Sequence, residues 1–216
     1  MAKIAPFEGF GEQYDDWFVR NKDKYAAELR ALRCFIPADG DGLEVGVGSG
    51  KFASPLGIKT GVEPSPKMAD KARKLGIHVL PGVAEYLPVP TGTFDFVLMV
   101  TTICFVDDLK KSFQEAFRVL KKDGFIVIGF IDKDSELGKV YEANKDKSHF
   151  YNIAEFFSTQ EVLACLKESG FGDFETKQSI FPENDTQYIE DGFGTGSFVV
   201  IKGLKINNTS ENDRRV

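Results

Sequence analysis

The run Leu43-Glu44-Val45-Gly46-Val47-Gly48-Ser49-Gly50 constrains this chain more than any other stretch. Leu43, Val45 and Val47 read as a buried parallel strand. The glycines at alternate positions that follow let backbone approach a ligand that a Cβ would exclude. A second short segment, Ile58-Lys59-Thr60-Gly61-Val62-Glu63, ends in a carboxylate. At the carboxyl end of a neighbouring strand, Glu63 can accept hydrogen bonds from both vicinal hydroxyls of a ribose, as acidic residues do in doubly wound folds. The ligand expected from this pairing is an adenosine derivative.

Spacing sorts the nucleotide motifs. A phosphate-cradling P-loop needs glycine five residues before a Gly-Lys pair and Ser or Thr after it, and here Val45 and Phe52 hold those positions around Gly50-Lys51. Gly48-x-Gly50-x-x-Ala53 formally matches the glycine-alanine variant of the dinucleotide pattern. Pro55 follows closely, however, so the helix after the turn is expected to be short or irregular, whereas a pyrophosphate wants a well-formed helix N-terminus.

Glu44-x-Gly46-x-Gly48-x-Gly50 resembles motif I of the class I S-adenosylmethionine-dependent methyltransferases, and later segments resemble the same family in order. Glu63-Pro64-Ser65-Pro66-Lys67-Met68 is similar to its ribose-binding strand end, and Gly82-Val83-Ala84-Glu85-Tyr86-Leu87-Pro88 to its adenine-binding turn. Phe94 to Thr101 is similar to its fourth strand, and Glu115 to Gly124 to the approach to its fifth. The match runs from about residue 40 to 131, more weakly to Phe171, and is nearest the ubiquinone-type and small-molecule branch. That branch often has Asp where Val83 stands, contacting the adenine amino group; here that bond comes from elsewhere or is absent.

Bulk properties narrow the acceptor. A chain of 216 residues with 42% hydrophobic residues and twenty Phe fits one domain with a real core. A net charge of −6 and a pI near 5.1 argue against a general nucleic-acid binder. The segment Met1 to Pro6 lacks the apolar core of a signal peptide and no run of about eighteen apolar residues occurs, so a cytoplasmic protein without a membrane segment is expected. Cys34, Cys104 and Cys165 are few and widely spaced, which favours reduced thiols over a disulfide framework or a metal site. Cys104 lacks a neighbouring His or cation to lower its pKa and reads as a buried thiol.

Glu12 to Leu32 spaces Tyr14, Trp17, Phe18, Tyr25, Leu29 and Leu32 as one apolar helix face. Alternating strands and helices follow: Ser65 caps a helix that Gly76 ends, Asp107 or Asp108 caps another that Gly124 stops, and Phe125 to Ile131 forms the fifth strand. Ser158-Thr159-Gln160-Glu161 is a capping box for a helix ended by Gly170, and strands near 174–181 and 196–201 close the pattern. Such alternation predicts an α/β, doubly wound, Rossmann-like sheet with helices on both faces and a ligand at the strand carboxyl ends. The resemblance implies seven strands, mostly parallel, with the last antiparallel beside the fifth. The expected organisation is a single methyltransferase domain over 1–204, divided into an N-terminal helical lid (1–36), a cofactor-binding core (37–131) and an acceptor-side region (132–204). A mobile polar tail is expected over 205–216.

The resemblance implies S-adenosylmethionine as cofactor and assigns it Glu44, Gly46, Gly48, Gly50, Glu63, Pro64, Met68, Val83, Ala84, Glu85, Val100 and Thr101. Glu44 would order the loop and the amino-acid end of the cofactor. Ala84 would offer a backbone N–H to adenine, and Met68 would cover the ring or serve as core. Tyr14, Trp17 and Phe18 are a water-excluding lid or ordinary core. The catalytic residues are not identified, and the candidates are His149 as a base and Tyr151 as an orienting hydroxyl, each otherwise an ordinary structural residue, together with Tyr14. No metal is expected, because positioning dominates methyl transfer. The function expected is transfer to an O or N nucleophile of a small-molecule acceptor. The alternatives are a nicotinamide-dependent reductase and a non-catalytic module of the same fold. Oligomeric state is not legible in the sequence.

Overall fold

The computed structural model describes residues 3–206. Two helices, α1 (Ala5–Arg20) and α2 (Lys22–Arg33), precede the sheet where the periodicity predicts one. The break is at Asn21, whose φ of −117° and ψ of 39° leave the helix and whose N–H and Nδ2 both donate to the Trp17 carbonyl at 2.9 Å. The apolar spacing continues across it, so a period alone does not reveal the corner.

The strands are β1 (Gly42–Val45), β2 (Thr60–Glu63), β3 (His78–Pro81), β4 (Phe94–Val100), β5 (Leu120–Ile131), β6 (Phe171–Ser179), β7 (Glu190–Asp191) and β8 (Phe198–Lys205). They lie in the order β3-β2-β1-β4-β5-β8-β6-β7; pairs from β3 to β5 are parallel and those involving β8 and β7 antiparallel. The fold is a doubly wound α/β sheet whose winding reverses between β1 and β4, the crevice where such folds take ligands. The final strand is antiparallel beside β5, as expected. Seven strands were expected and eight are described: β7 is an exposed two-residue edge strand, too short and polar to show alternation.

Between the strands run α3 (Ala53–Leu56), α4 (Pro66–Lys74), α5 (Leu109–Val119), α6 (Glu136–Asn144) and α7 (Thr159–Glu168). Their starts follow from capping: the side chains of Ser65, Asp108, Ser135 and Ser158 accept from N–H groups of the first turns of α4 to α7, and Ser158 with Glu161 completes a capping box. Gly124 does not stop α5, which ends at Val119. It lies within β5, where a Cβ would come within 2.9 Å of the Asp95 carbonyl oxygen.

Period-two alternation divides the core. Val97 and Met99 of β4 face α5 and α7 with Phe113 and Leu166, while Phe96, Leu98 and Val100 face α1, α2 and α4 with Phe18, Leu32 and Ala72. Lys205, grouped with the tail by composition, instead ends β8, and its Nζ donates to the Phe117 and Leu120 carbonyls at 2.7 Å. Residues 207–216 of the expected tail lie outside the described residues. No helix among the described residues is long and apolar enough to cross a membrane.

Gly50 locks the loop after β1 to α4. It has φ +82°, and a Cβ there would stand 2.7 Å from Ile77 Cδ1 and 3.3 Å from the Ala72 Cα. Gly50→Ala combines left-handed strain with overpacking and should cost about 1–3 kcal/mol, read as a lowered urea midpoint at unchanged m-value. An unchanged midpoint would show that the loop relaxes freely.

Candidate active site

After β1 the chain must turn sharply, and it does so on β2. The N–H groups of Gly46 and Val47 donate to the Val62 carbonyl at 2.8 and 3.1 Å, and both Gly46 and Gly48 have positive φ. Glu63, at the end of β2 and 7% exposed, completes the tie: Oε2 accepts from the Gly48 N–H at 2.9 Å and Oε1 from the Ser65 N–H at 2.8 Å. A carboxylate has about four lone-pair sites, so one on each oxygen remains for a ligand. Burial raises the Glu63 pKa, the two N–H groups oppose that shift, and Glu8 adds to it.

This loop forms the floor of a cleft at the carboxyl ends of β1, β2 and β4. Gly46, Gly48, Glu63, Pro64, Met68, Val83, Ala84, Glu85, Val100 and Thr101 all line it. Glu44 and Gly50 stand behind it. Glu44 is 1% exposed, its Oε2 has no hydrogen-bond partner, and burial raises its pKa well above the ordinary range, opposed by the Ala53 N–H. At Gly48 a Cβ would sit 3.7 Å from both Met68 Cε and the Tyr14 hydroxyl, so glycine keeps this floor low.

The turn 82–87 is fixed from outside. Glu85 Oε1 accepts from the N–H groups of Asp107 and Asp108 at 2.6 and 3.2 Å, and the Leu87 N–H donates to Glu115 Oε2 at 2.9 Å. Asp107 joins Glu63 and Glu85 as a third acidic residue lining the cleft. Thr101, just past β4, has φ +50°, a genuine strain for a β-branched residue and common at functional sites.

A second chamber, of about 430 Å³, lies beyond Thr101. Thr101, Tyr14, Phe7 and Phe105 line both spaces, which makes them the neck between the two. Tyr14, His149 and Tyr151 are brought together on this chamber, with Trp17 and Phe18 also in its wall. His149 is exposed and stacks on Phe10 at 4.5 Å. Tyr151 stacks on Tyr141 at 5.1 Å; burial, and after it the charge of neighbours including Glu28, raises its pKa. Cys104 is buried, and burial pushes its thiol up to about 12. Among the described residues no group of three or more His, Cys, Asp or Glu side chains could hold a metal ion.

Glu28 of α2 also lines the chamber, at 4% exposure. Sequence reasoning passed over it, although it occupies the i+3 position of the Tyr25, Leu29, Leu32 stripe, where a charge is out of place.

Comparison with known proteins decides what this geometry belongs to. Residues 43–128 match the family model "Methyltransferase domain". A Thermotoga maritima crystal structure, described as a SAM-dependent methyltransferase and possible histamine N-methyltransferase, is 47% identical, with 94% of this chain and 100% of that one covered and a TM-score of 0.90. This chain belongs to the S-adenosylmethionine-dependent methyltransferases. It is also 31% identical to the malonyl-[acyl-carrier protein] O-methyltransferase of Geobacter sulfurreducens, covering 75% of this chain and 69% of that protein. An uncharacterized protein of Methanocaldococcus jannaschii is 46% identical, covering 93% of this chain and 98% of the relative. Membership makes the protein an S-adenosylmethionine-dependent enzyme and sets the nicotinamide reading aside. The orphaned Glu44 oxygen behind the loop, the Cβ-free floor at Gly48 and the free lone pairs of Glu63 all fit the polar amino-acid and ribose parts of this methyltransferase cofactor.

Burial pushes the Glu28 carboxyl up to about 8, with Lys24 opposing. Its folded value therefore exceeds the unfolded value near 4.5, and between the two the folded state holds the extra proton. This group's contribution makes stability fall as pH rises from about 4.5 to 8. Glu28→Gln removes it, so the Tm of the variant should gain on that of the wild type through this window and level off above it. A difference constant from pH 5 to 9 would show that Glu28 titrates as a solvated carboxylate.

Proposed function

We propose that this methyltransferase transfers a methyl group to an oxygen or nitrogen nucleophile of a small-molecule acceptor in the cytosol, acting on neither nucleic acid nor membrane. The neck formed by Thr101, Tyr14, Phe7 and Phe105 carries the reading, because it lies between the cleft above the glycine loop and an aromatic chamber of small-molecule size. The acidic surface, net −6, supports an acceptor other than a polyanion. The names of the relatives span both atoms, one an O-methyltransferase and one a possible N-methyltransferase.

In this reading Glu63 receives the ribose hydroxyls on its two free lone pairs. Met68, Pro64, Val83 and Ala84 enclose the adenine, with the Ala84 N–H as a donor and Glu85 holding the turn. Gly46, Gly48, Val100 and Thr101 surround the methionine part, while Glu44 and Gly50 act from behind by holding the loop. When bound, S-adenosylmethionine supplies a methyl group already activated on a sulfonium, so the protein's task is alignment and exclusion of water. α1 is the lid: its Tyr14 hydroxyl lies deep in the cleft, and burial, with the charges of Glu44 and Glu63, keeps it protonated at neutral pH. His149 and Tyr151 remain the candidates for a base and an orienting hydroxyl, Tyr151 being the more enclosed.

Titration calorimetry with S-adenosylhomocysteine tests the ribose assignment. Hydrogen bonds to a charged group contribute about 1.5–3 kcal/mol each, so Glu63→Ala should weaken binding roughly a hundredfold or more. Affinity within threefold of wild type, with an unchanged circular dichroism spectrum, would refute it.

A further inference from the structure

Glu28 is a buried carboxylate that neither the fold nor the cofactor cleft uses. Among the described residues its side chain takes part in no hydrogen bond or ion pair within reach, although it is 4% exposed and lies in the chamber wall. Lys24, one turn earlier on α2, is the cation that acts on it and forms no salt bridge with it. A buried ionisable group left without a hydrogen-bond partner is costly whether it ionises or stays protonated, and leucine would fill the same space without that cost. Such a group points to a partner that arrives from outside.

The surroundings say what kind of partner. The Tyr14, Tyr141 and Tyr151 hydroxyls also make no hydrogen bond among the described residues, and the negative charge of Glu28 helps to raise the pKa of all three. Four oxygen-bearing groups able to accept hydrogen bonds therefore share one space, walled by the rings of Trp17, Phe18, Phe52 and Phe105. Aromatic faces attract cations, and a carboxylate among them adds the countercharge. The other ionisable lining residues are Arg20, Lys147 and His149, all exposed at the rim, where water screens them. An anionic acceptor would meet Glu28 with nothing buried to neutralise it.

We propose that the chamber selects a small amine with an apolar or aromatic body, and that Glu28 is its anchor, accepting N–H hydrogen bonds from the cationic nitrogen while the tyrosine and tryptophan rings enclose the carbon skeleton. This rests on the reading of the chamber as the acceptor site and narrows it from oxygen or nitrogen to an amine. Burial then has a consequence for binding: a carboxyl pushed up to about 8 by its surroundings is drawn back to the charged form when an ammonium faces it.

Trp17, the single tryptophan of the chain, lies in the chamber wall and reports occupancy directly. Its fluorescence would be titrated with a panel of primary, secondary and heteroaromatic amines, 2-phenylethylamine among them, each paired with the alcohol of the same skeleton, with and without S-adenosylhomocysteine. At least one amine should bind tenfold or more tighter than its alcohol. Glu28→Gln should reduce that preference to within twofold while leaving S-adenosylhomocysteine affinity within twofold of wild type, and Glu28→Asp should retain part of it. The proposal is overturned if no amine outbinds its alcohol, or if Glu28→Gln keeps the preference. Failure of S-adenosylhomocysteine to bind, with the amine preference intact and Glu28-dependent, would instead overturn the cofactor reading and leave this site standing.

Discussion

The site depends on one carboxylate. Glu63 holds the N–H of Gly48 on one oxygen and that of Ser65 on the other, so it joins the loop after β1 to the start of α4 across the end of β2. Two backbone segments are thereby placed by the same group that offers its remaining lone pairs to the cleft. Rigid positioning and ligand recognition are not separate tasks here. A carboxylate fixed by two N–H donors has lost its rotamer freedom before any hydroxyl reaches it, so binding need not supply that ordering. The same donors oppose the burial that raises its pKa.

The two walls of the site are held by different forces. The floor is continuous with the apolar layers on each side of the sheet, where Leu43, Val62, Leu98 and Met99 are fully buried. Helix α1 reaches this floor partly through polar contacts. Glu8 accepts from the Ser65 hydroxyl, Asp15 pairs with Lys71 at 2.7 Å and accepts from Ser49 Oγ at 2.6 Å, and Lys71 Nζ also donates to the Gly11 carbonyl near the kink at Phe10. Half-exposed ion pairs of this kind contribute little net stability, whereas apolar layers contribute steadily with area. The N-terminal turns of α1 are thus held less firmly than the sheet.

Legibility in the sequence followed the same division. Strands buried on both faces show as apolar runs, and caps at Ser65, Asp108 and Ser158 show as residue types, so the core order and the helix starts could be read. The glycine loop and Glu63 were readable because their chemistry admits few residues. What escaped was set by tertiary contact: the corner at Asn21, the role of Gly124 under the Asp95 carbonyl, and the short β7. Glu28 escaped for a different reason. One charge in a helical stripe is ordinarily solvated, and only the packing of α2 against α1 and the sheet reveals that this one is enclosed. The chamber is assembled from segments distant in sequence, so no local pattern could announce it.

The neck between cleft and chamber brings both kinds of wall together. Thr101 is held at φ +50° because its N–H donates to the Gly129 carbonyl at 2.8 Å, while Thr102 Oγ1 lies 3.2 Å from the Val45 carbonyl and 3.0 Å from that of Val100. A Cβ on Gly46 would meet Thr102 at 2.5 Å, so the loops after β1 and β4 interlock and neither can shift alone. Opposite them stand Phe7 and Tyr14, carried by α1. The two sides of the neck are therefore held by different means, interlocked loops on one and a helix tied partly by polar contacts on the other. Strained backbone of this sort persists where its surroundings over-determine it, and here it fixes the edge of the neck on which Thr101 stands.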